Sequence, residues 1–205
     1  MSTETVTRFF AILSLLTWGG VVLVIVLAVV HRTRPDSTLG YIFEDIREYA
    51  IWLAFPVALV TTLGSLYLSE IAHFVPCPLC WYQRICMYPL FLTLLIAGLR
   101  RDREVYWYVL PPAVIGAGFA IYHTQLQAFP DQAGPFCKIA EPCTVRYVWE
   151  FGFVSIPFMS LAAFSFIITM MLVLRSDRAN DYELEELDEE STPDDELTLS
   201  GQGVS

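Results

Sequence analysis

The sequence contains few charged residues. Only 17% of its 205 residues are Asp, Glu, Lys or Arg, whereas an average soluble domain contains about 25%. Residues 1–176 hold eleven acidic and eleven basic side chains, so this part of the chain has neither the basic surface that nucleic acid requires nor a heavily acidic one. The composition therefore excludes a nucleic-acid partner and argues against an ordinary soluble domain.

The net charge of −10 is confined to the C-terminal segment, residues 177–205. This segment contains eleven of the 22 acidic residues but only one arginine, and it is rich in Asp, Glu, Ser and Gly after Asn180. A segment of this composition buries too little apolar surface to fold alone. We therefore expect residues 177–205 to form an acidic, disordered tail.

Apolar residues make up 55% of the chain, and they are grouped in long runs. Five runs are long and apolar enough to cross a bilayer as a helix, which takes roughly 20 residues: 9–30, 50–73, 81–99, 105–127 and 153–174. The first run has the position of a signal peptide, but it is too long for the apolar core of a typical one, and no convincing small-x-small cleavage site precedes His31. The sequence therefore predicts an integral membrane protein with five transmembrane helices.

The basic residues indicate how these helices are oriented. One side of the membrane receives eight arginines if the five helices alternate: Arg32, Arg34, Arg47, Arg100, Arg101, Arg103, Arg175 and Arg178. The other side receives only Arg8, Arg84, Lys138 and Arg146. Because positive charge accumulates on the cytoplasmic side, we expect an external N-terminus and a cytoplasmic tail. Four of the five cysteines then face the extracytoplasmic side, where disulfides persist.

Cys77 and Cys80 form a C-x-x-C motif between the second and third apolar runs. Two intervening residues allow a disulfide to open and close with near-normal geometry. If Cys80 begins the third helix, the helix N-terminus and Arg84, one turn further along the same face, favour its thiolate. The motif indicates a redox-active pair, with a permanent disulfide or half of a zinc site as the alternatives.

Cys137 and Cys143 form a second pair in the loop after the fourth apolar run. A disulfide that staples the loop is the default explanation for two cysteines outside a membrane. Beside a C-x-x-C motif, thiol–disulfide exchange between the two pairs is a second explanation, since it requires only a thiolate and an accessible disulfide. An all-cysteine zinc site is a third, although this pair lacks the short spacing of a zinc-binding motif.

Arg84 and His123 fall near the outer ends of the third and fourth predicted helices. Arg84 either reaches the lipid headgroups or donates a hydrogen bond to a carbonyl of a membrane ligand beside Cys80. A histidine at the membrane edge is more often a packing residue, but Gln127 lies one turn away and suits a shared polar site. Cys86 falls within an apolar helix and is expected to be buried and inert.

Together these motifs resemble the disulfide bond formation protein B family, and more closely its short-loop BdbC-type branch. The run 77–84 is similar to the family signature C-x-L-C-x-x-x-R, and the run 122–127 (Tyr-His-Thr-Gln-Leu-Gln) is similar to its membrane-edge histidine motif. The run 152–157 (Gly-Phe-Val-Ser-Ile-Pro) resembles the start of its last helix. The likeness covers roughly residues 46–174, with the motifs in the family's order.

The resemblance implies an all-α fold with a four-helix transmembrane bundle over residues 46–176. Residues 1–45 would add one extra N-terminal transmembrane helix, which has no counterpart in the family core, and a cytoplasmic linker. The implied activity is quinone-dependent protein disulfide oxidation in the cell membrane. Such a protein reoxidises an extracytoplasmic thioredoxin-like thiol oxidase and passes the electrons to ubiquinone or menaquinone, which supports disulfide bond formation in exported proteins.

The resemblance also implies roles for the site residues. Electrons would pass from the partner to one catalytic pair, Cys137 and Cys143, and then to the other, Cys77 and Cys80. Cys137 would be attacked by the partner's thiol, and Cys143 would pair with it at rest and exchange with Cys77. The quinone would lie next to Cys80, in a site lined by Arg84 and His123.

Two other interpretations of the same residues stay open. The chain is a non-enzymatic membrane protein if its external cysteines form structural disulfides or bind zinc. It is an outward reductant conduit if electrons enter from the cytoplasm, which requires a cytoplasmic thiol donor or a relay within the membrane. Cys86 is the only spare cysteine for such a relay.

Overall fold

Helices make up most of the chain. The computed structural model describes residues 3–34, 37–132, 137 and 143–191, and for 177–191 only the backbone. Its α-helices are α1 (Thr3–Thr33), α2 (Thr38–Glu48), α3 (Ala50–Leu66), α4 (Pro78–Arg100), α5 (Tyr106–Ala128) and α6 (Ile156–Ser191). A π-helical turn, Tyr67–Ile71, continues α3, and a 3₁₀ turn, Pro130–Gln132, follows α5. The described residues contain no strand, and the predicted all-α fold is confirmed.

Four of the described helices are long and apolar enough to cross a membrane: Thr3–Thr33, Ala50–Ile71, Pro78–Arg100 and Ile156–Ser176. Helix α5 corresponds to the remaining predicted span. It has 23 residues, but its tyrosines, prolines and glutamines make it less apolar than the other four. The prediction of a multi-pass membrane protein is confirmed, with α5 as a helix of sufficient length but lower hydropathy.

Helices α3 to α6 pack as a bundle in which α4 contacts α3 and α5, and α6 contacts α3 and α5. Small residues on α5 allow the close approach, because Ala113, Ala117 and Ala120 are all buried. The approach is close at Gly116, where an added Cβ would lie 2.3 Å from the ring of Phe164 on α6. The bundle thus depends on the small-residue face of α5.

Helix α1 packs outside this bundle, against α6 and α2. Arg8 lies 3.5 Å from Glu150, just before α6, and further along α1 the ring centroid of Trp18 lies 6.1 Å from that of Phe158. Since the contacts advance along both helices in the same direction, α1 and α6 run parallel. The N-terminus of α1 therefore lies at the end of the bundle where α6 begins.

Helix α2 lies mostly in the segment for which the sequence predicts a cytoplasmic linker. Ser37 caps it, since the backbone N–H of Gly40 donates to the Ser37 hydroxyl at 3.1 Å. Phe43 and Arg47 are buried on one face, whereas Tyr41 is exposed. This spacing of buried residues is that of an amphipathic helix, so the connection between α1 and α3 is largely helical.

Helix α6 continues to Ser191 and so includes part of the acidic segment for which the sequence predicts disorder. The Glu and Leu residues of 183–190 are good helix formers, which accounts for a helical backbone here. Residues 192–205 lie outside the described residues, so the prediction of a disordered tail stays a prediction there.

Candidate active site: a dithiol beside a disulfide

Cys77 and Cys80 meet at the start of α4. Cys77 is the N-cap residue with extended backbone (φ −72°, ψ 167°), and Pro78 occupies the first turn, where its missing N–H is not needed. Cys80 follows within the same turn, and the two Sγ atoms lie 3.3 Å apart. Both are free thiols. The motif therefore forms a dithiol at the N-terminus of a membrane helix.

Cys137 and Cys143 form a disulfide, with their Cα atoms 5.5 Å apart. Cys143 is only 1% exposed, whereas Cys137 is half-buried. Both pack into one cluster with Cys77 and Cys80, around the buried side chains of Leu79 and Leu126. The structure thus brings these four cysteines together in one cluster beside the start of α4.

His123, on α5, lies between the two cysteine pairs. Its Nε2 atom is 3.1 Å from the carbonyl oxygen of Cys143 and 3.7 Å from the Sγ atom of Cys77. Because a carbonyl oxygen only accepts hydrogen bonds, Nε2 carries a proton. The Nδ1 atom is 3.1 Å from the side-chain amide nitrogen of Gln83, which donates to it. Gln83 and the Cys143 carbonyl together fix the histidine tautomer.

The surroundings of Cys77 stabilise its thiolate. The pKa of Cys77, which precedes α4, is lowered to about 4. A hydrogen bond from the Cys80 thiol is the largest cause; burial opposes it, and His123 lowers the pKa further. From the sequence, the thiolate is instead expected to be favoured at Cys80. The difference arises because His123 faces Cys77 and because Arg84 is engaged elsewhere.

Arg84 is buried and bonded to α3. Its Nε donates to the hydroxyl of Ser65 at 2.9 Å, and its Nη2 donates to the Ser65 carbonyl at 2.7 Å. The guanidinium carbon also lies 5.3 Å from the centroid of the Trp81 ring. Ser65 immediately precedes the last residue of α3 and the π-helical turn, a feature that is frequent at functional sites. Arg84 therefore lies inside the bundle and not among the headgroups.

A cavity of about 90 Å³ joins these groups, and we call it the cysteine pocket. It is lined by residues of α3, α4, α5, the following loop and the start of α6, including Cys77, Cys80, Arg84 and His123. Two further polar atoms of lining residues, the Tyr88 hydroxyl and Gln127 Oε1, have no hydrogen-bond partner among the described residues. Unpaired buried polar atoms at a cavity wall indicate a site for a polar ligand.

The family model for disulfide bond formation protein DsbB matches residues 47–174. The chain belongs to the DsbB family. "Disulfide bond formation protein C" of Bacillus subtilis (strain 168) is 48% identical over 132 residues, which cover 64% of this chain and 94% of that protein. A "Probable disulfide formation protein" of Coxiella burnetii (strain CbuK_Q154) is 41% identical over 135 residues, 65% of this chain and 91% of that protein. No solved structure matches the chain.

The DsbB match confirms the resemblance that the sequence motifs indicate and closely reproduces its extent. It begins at residue 47, so helix α1 and nearly all of α2 lie outside it. The four cysteines, Arg84 and His123 all fall within the matched range. Helix α1 is thus an addition to the DsbB core, and its contacts with α6 are additional to those of the family bundle.

Sequence reasoning missed three residues of this DsbB-type site. Gln83 lies three residues after Cys80, a spacing that places both on one face of α4, so this residue had a local signal. Ser65 and Tyr88 had none, because their relation to Arg84 and to the cavity depends on how α3 and α4 are rotated against each other. Gln127, expected near His123, does line the same cavity.

The cysteine and histidine side chains of this DsbB-type site are also candidate ligands for a metal ion. Cys77, Cys80 and His123 offer ligand atoms that all lie within 4.8 Å of one another, which suits a zinc ion with one open position. Cys137 and Cys143 are consumed by their disulfide, so the all-cysteine site considered from the sequence is not formed here. Cys86 is buried in the apolar core, away from the site, as expected.

Proposed function

We propose that this chain reoxidises an extracytoplasmic thioredoxin-like thiol oxidase and passes the electrons to a quinone in the membrane. Membership of the DsbB family supports a role in disulfide bond formation. The observation that carries the finer proposal is the contact of one atom, Nε2 of His123, with both cysteine pairs: with the Cys143 carbonyl at 3.1 Å and with Cys77 Sγ at 3.7 Å. The two pairs therefore lie beside each other, as thiol–disulfide exchange between them requires.

The first step is attack by a thiolate of the partner on Cys137. Cys137 is half-buried whereas Cys143 is buried, so Cys137 is the sulfur atom that a protein partner can reach. A partner–Cys137 bond forms, the Cys137–Cys143 bond breaks, and Cys143 leaves as a thiolate. The partner's second thiolate then attacks its own sulfur in the mixed disulfide. The partner leaves oxidised, and Cys137 and Cys143 remain as a dithiol.

The second step is exchange between the two pairs. When Cys77 and Cys80 are joined, the Cys143 thiolate attacks Cys77, and attack by Cys137 on that mixed disulfide completes the transfer. Cys137 and Cys143 become a disulfide again, and Cys77 and Cys80 become a dithiol. This is the arrangement of the structure, with Cys137–Cys143 oxidised and Cys77 and Cys80 free. A stabilised Cys77 thiolate favours this direction, because stabilising the reduced form makes a disulfide more oxidising.

The residues of the cysteine pocket fit a quinone. Arg84 uses two of its five N–H donors on Ser65, so the others can bind a carbonyl oxygen of the quinone. The Tyr88 hydroxyl is a further donor for such an oxygen. Gln127 Oε1, unpaired and on a residue 4% exposed, suits a hydroxyl of the reduced ring. A bound quinone would be the final two-electron acceptor, and Arg84, Tyr88 and Gln127 would position its ring.

The orientation in the membrane is part of the proposal. Helix α4 begins beside Cys77 and ends at Arg100, so the arginines at 100–103 lie at the end of the bundle opposite the cysteines. Under the charge bias, the cysteine end is extracytoplasmic and the acidic segment is cytoplasmic. The partner and the exported proteins are then on the side of Cys137.

The test is turnover of the purified full-length protein with a reduced thioredoxin-like oxidase and ubiquinone or menaquinone analogues. We expect quinone-dependent oxidation of the partner, loss of it in Cys80→Ser, and no loss in the control Cys86→Ser. A mixed disulfide with the partner should be trapped through Cys137. Undiminished turnover in Cys80→Ser would contradict the mechanism.

The rival function is metal binding without redox turnover, which the Cys77, Cys80 and His123 cluster favours. The same purified protein discriminates between the two. Stoichiometric zinc that survives dialysis, combined with no oxidation of the partner by any quinone, would support the rival. Quinone-dependent turnover after removal of metal by a chelator would exclude it.

A further inference from the structure

A second cavity of about 270 Å³ lies between α1, α3 and α6, and we call it the side chamber. Helix α1 contributes four wall residues, namely Phe10, Leu13, Ser14 and Thr17. The opposite walls include Val57 and Val60 of α3 and Met159 and Ala163 of α6. Its volume exceeds that of apolar cavities of about 150 Å³ that bind small hydrocarbons. The chamber is therefore large enough for part of a ligand.

The surface of the side chamber is hydrocarbon in character despite its hydroxyl-bearing residues. Ser14 donates to the Ala11 carbonyl at 2.8 Å, and Thr17 donates to the Leu13 carbonyl at 2.8 Å. On the facing wall, Thr61 donates to a carbonyl of its own helix at 2.7 Å. Because these three hydroxyl protons are used within the helices and most of the other wall residues are apolar, a ligand in the chamber meets mainly carbon.

Helix α1 is held in place at this wall by specific contacts. The ring of Phe10 packs against Gly64 so closely that an added Cβ would lie 3.0 Å from it. One turn earlier, Thr7 donates to the Glu150 carboxylate at 3.3 Å, and Arg8 pairs with the same carboxylate. The wall is thus fixed to α3 and to the segment before α6.

The side chamber adjoins the cysteine pocket. Five residues line both cavities: Thr61, Ser65, Leu68, Ile156 and Ser160. Ser65 is also the residue that receives both hydrogen bonds of Arg84. A polar pocket and an apolar chamber that share a wall match a ligand with a polar ring and a hydrocarbon chain.

We propose that α1 forms the outer wall of a binding chamber for the hydrocarbon chain of the quinone whose ring enters the cysteine pocket. This inference rests on the proposed function and adds to it a role for the helix that lies outside the DsbB match. Without α1, the face between α3 and α6 would open onto lipid. With α1 in place, the hydrocarbon chain of the quinone contacts protein. The protein therefore distinguishes, by binding affinity, between quinones that carry a chain and quinones that do not.

The test compares two substitutions on neighbouring residues of α1. Thr17→Phe fills the side chamber, whereas the matched control Leu16→Phe alters a side chain that is 66% exposed and lines neither cavity. We expect Thr17→Phe to weaken equilibrium binding of a chain-bearing quinone by roughly tenfold, through lost packing contacts. Binding of a chainless quinone should be unchanged in both variants, which also shows that they fold. Val60→Phe, which fills the chamber from α3, should reproduce the effect.

A chain-bearing quinone with a photoreactive group near the chain terminus locates the occupant directly. We expect labelling of the peptide that contains Leu13 and Thr17, with competition by unlabelled quinone but not by excess phospholipid. Competition by phospholipid alone would show that the chamber holds a lipid acyl chain and would overturn the inference.

The two proposals fail in different ways. If the wild-type protein reduces neither kind of quinone, the proposed function fails and the inference fails with it. If the wild-type protein reduces both kinds, but Thr17→Phe and Val60→Phe bind the chain-bearing quinone as well as Leu16→Phe does, only the inference about α1 fails.

Discussion

The Nε2 atom of His123 lies 3.7 Å from the Sγ atom of Cys77, and both residues are buried. This contact joins α5 to the first turn of α4 across 46 residues of sequence. The same nitrogen faces the carbonyl oxygen of Cys143, so its proton is directed at the boundary between the two cysteine pairs. His123 is thus placed to influence the protonation of Cys77 and the contact between the pairs.

The causes of the low pKa of Cys77 predict which substitutions raise that pKa most. The hydrogen bond from Cys80 is a larger cause than His123, so Cys80→Ala should raise the pKa of Cys77 more than His123→Ala does. The measurement is the pH dependence of Cys77 alkylation in a Cys86→Ser background. Cys80→Ser keeps a hydroxyl donor and should give a smaller rise than Cys80→Ala. Equal pKa values in all variants would contradict the assigned hydrogen bonds.

The same group predicts how stability depends on pH in the reduced protein. The pKa of Cys77 falls from an ordinary value of 9.0 to about 4 on folding. Between these values the unfolded state binds the proton and the folded state does not, so this contribution to stability grows as pH rises from about 4 to 9 and is lost as pH falls. The unfolding temperature should therefore show this rise with pH only in protein whose Cys77 and Cys80 are reduced. The rise should be absent once Cys77 and Cys80 are joined, since a disulfide does not titrate.

Gln83 is predicted to act as a positioning residue for His123. Gln83→Leu removes the donor to Nδ1 and leaves a buried nitrogen unpaired, which costs about 1–3 kcal/mol. We expect lower thermal stability together with a changed pH profile of Cys77 alkylation. Gln125→Leu is the control, because Gln125 is exposed and its side-chain amide donates to Gln132 at 2.8 Å, away from His123. A stability loss with an unchanged alkylation profile would reduce Gln83 to a packing role.

Arg84 and Ser65 are predicted to act together on quinone binding. Arg84→Met removes the charged donor and should raise the KM for quinone by roughly tenfold or more, the usual size for a hydrogen bond to a charged group. Ser65→Ala removes only the hydroxyl acceptor and keeps the carbonyl, so its effect should be smaller. Arg101→Met, at the other end of α4, should leave the KM unchanged. If the KM is unaltered in Arg84→Met, Arg84 does not belong to the quinone site.

Much of this arrangement could be predicted from local patterns in the sequence. The apolar runs identified the long helices, and the charge bias grouped Cys77, Cys80, Cys137 and Cys143 on one side before any contact was known. What could not be predicted were contacts between helices. The pairing of Arg84 with Ser65 requires the rotation of α3 against α4, which no spacing in the chain reveals.

The question of which cysteine is the favoured thiolate also shows that contacts between helices could not be predicted from the sequence. Local reasoning selected Cys80 because the helix N-terminus and a cation one turn away act on it. The structure favours Cys77 because the Cys80 thiol donates a hydrogen bond to it, because His123 approaches it from another helix, and because Arg84 bonds to α3. An electrostatic argument confined to one helix omits the groups that its neighbours bring.

The α5–α6 contact gives a prediction in which two similar substitutions act in opposite directions. In Gly116→Ala the new Cβ would lie 2.3 Å from the ring of Phe164, a fully buried side chain, so the helices must separate or the ring must shift. Overpacking of this kind costs about 1–3 kcal/mol. Gly118→Ala, two residues on, meets nothing within 4 Å and should stabilise α5 by about 0.5–1 kcal/mol through helix propensity. Thermal unfolding of both variants in the same detergent should give shifts of opposite sign; a stabilised Gly116→Ala variant would contradict the close packing of α5 on α6.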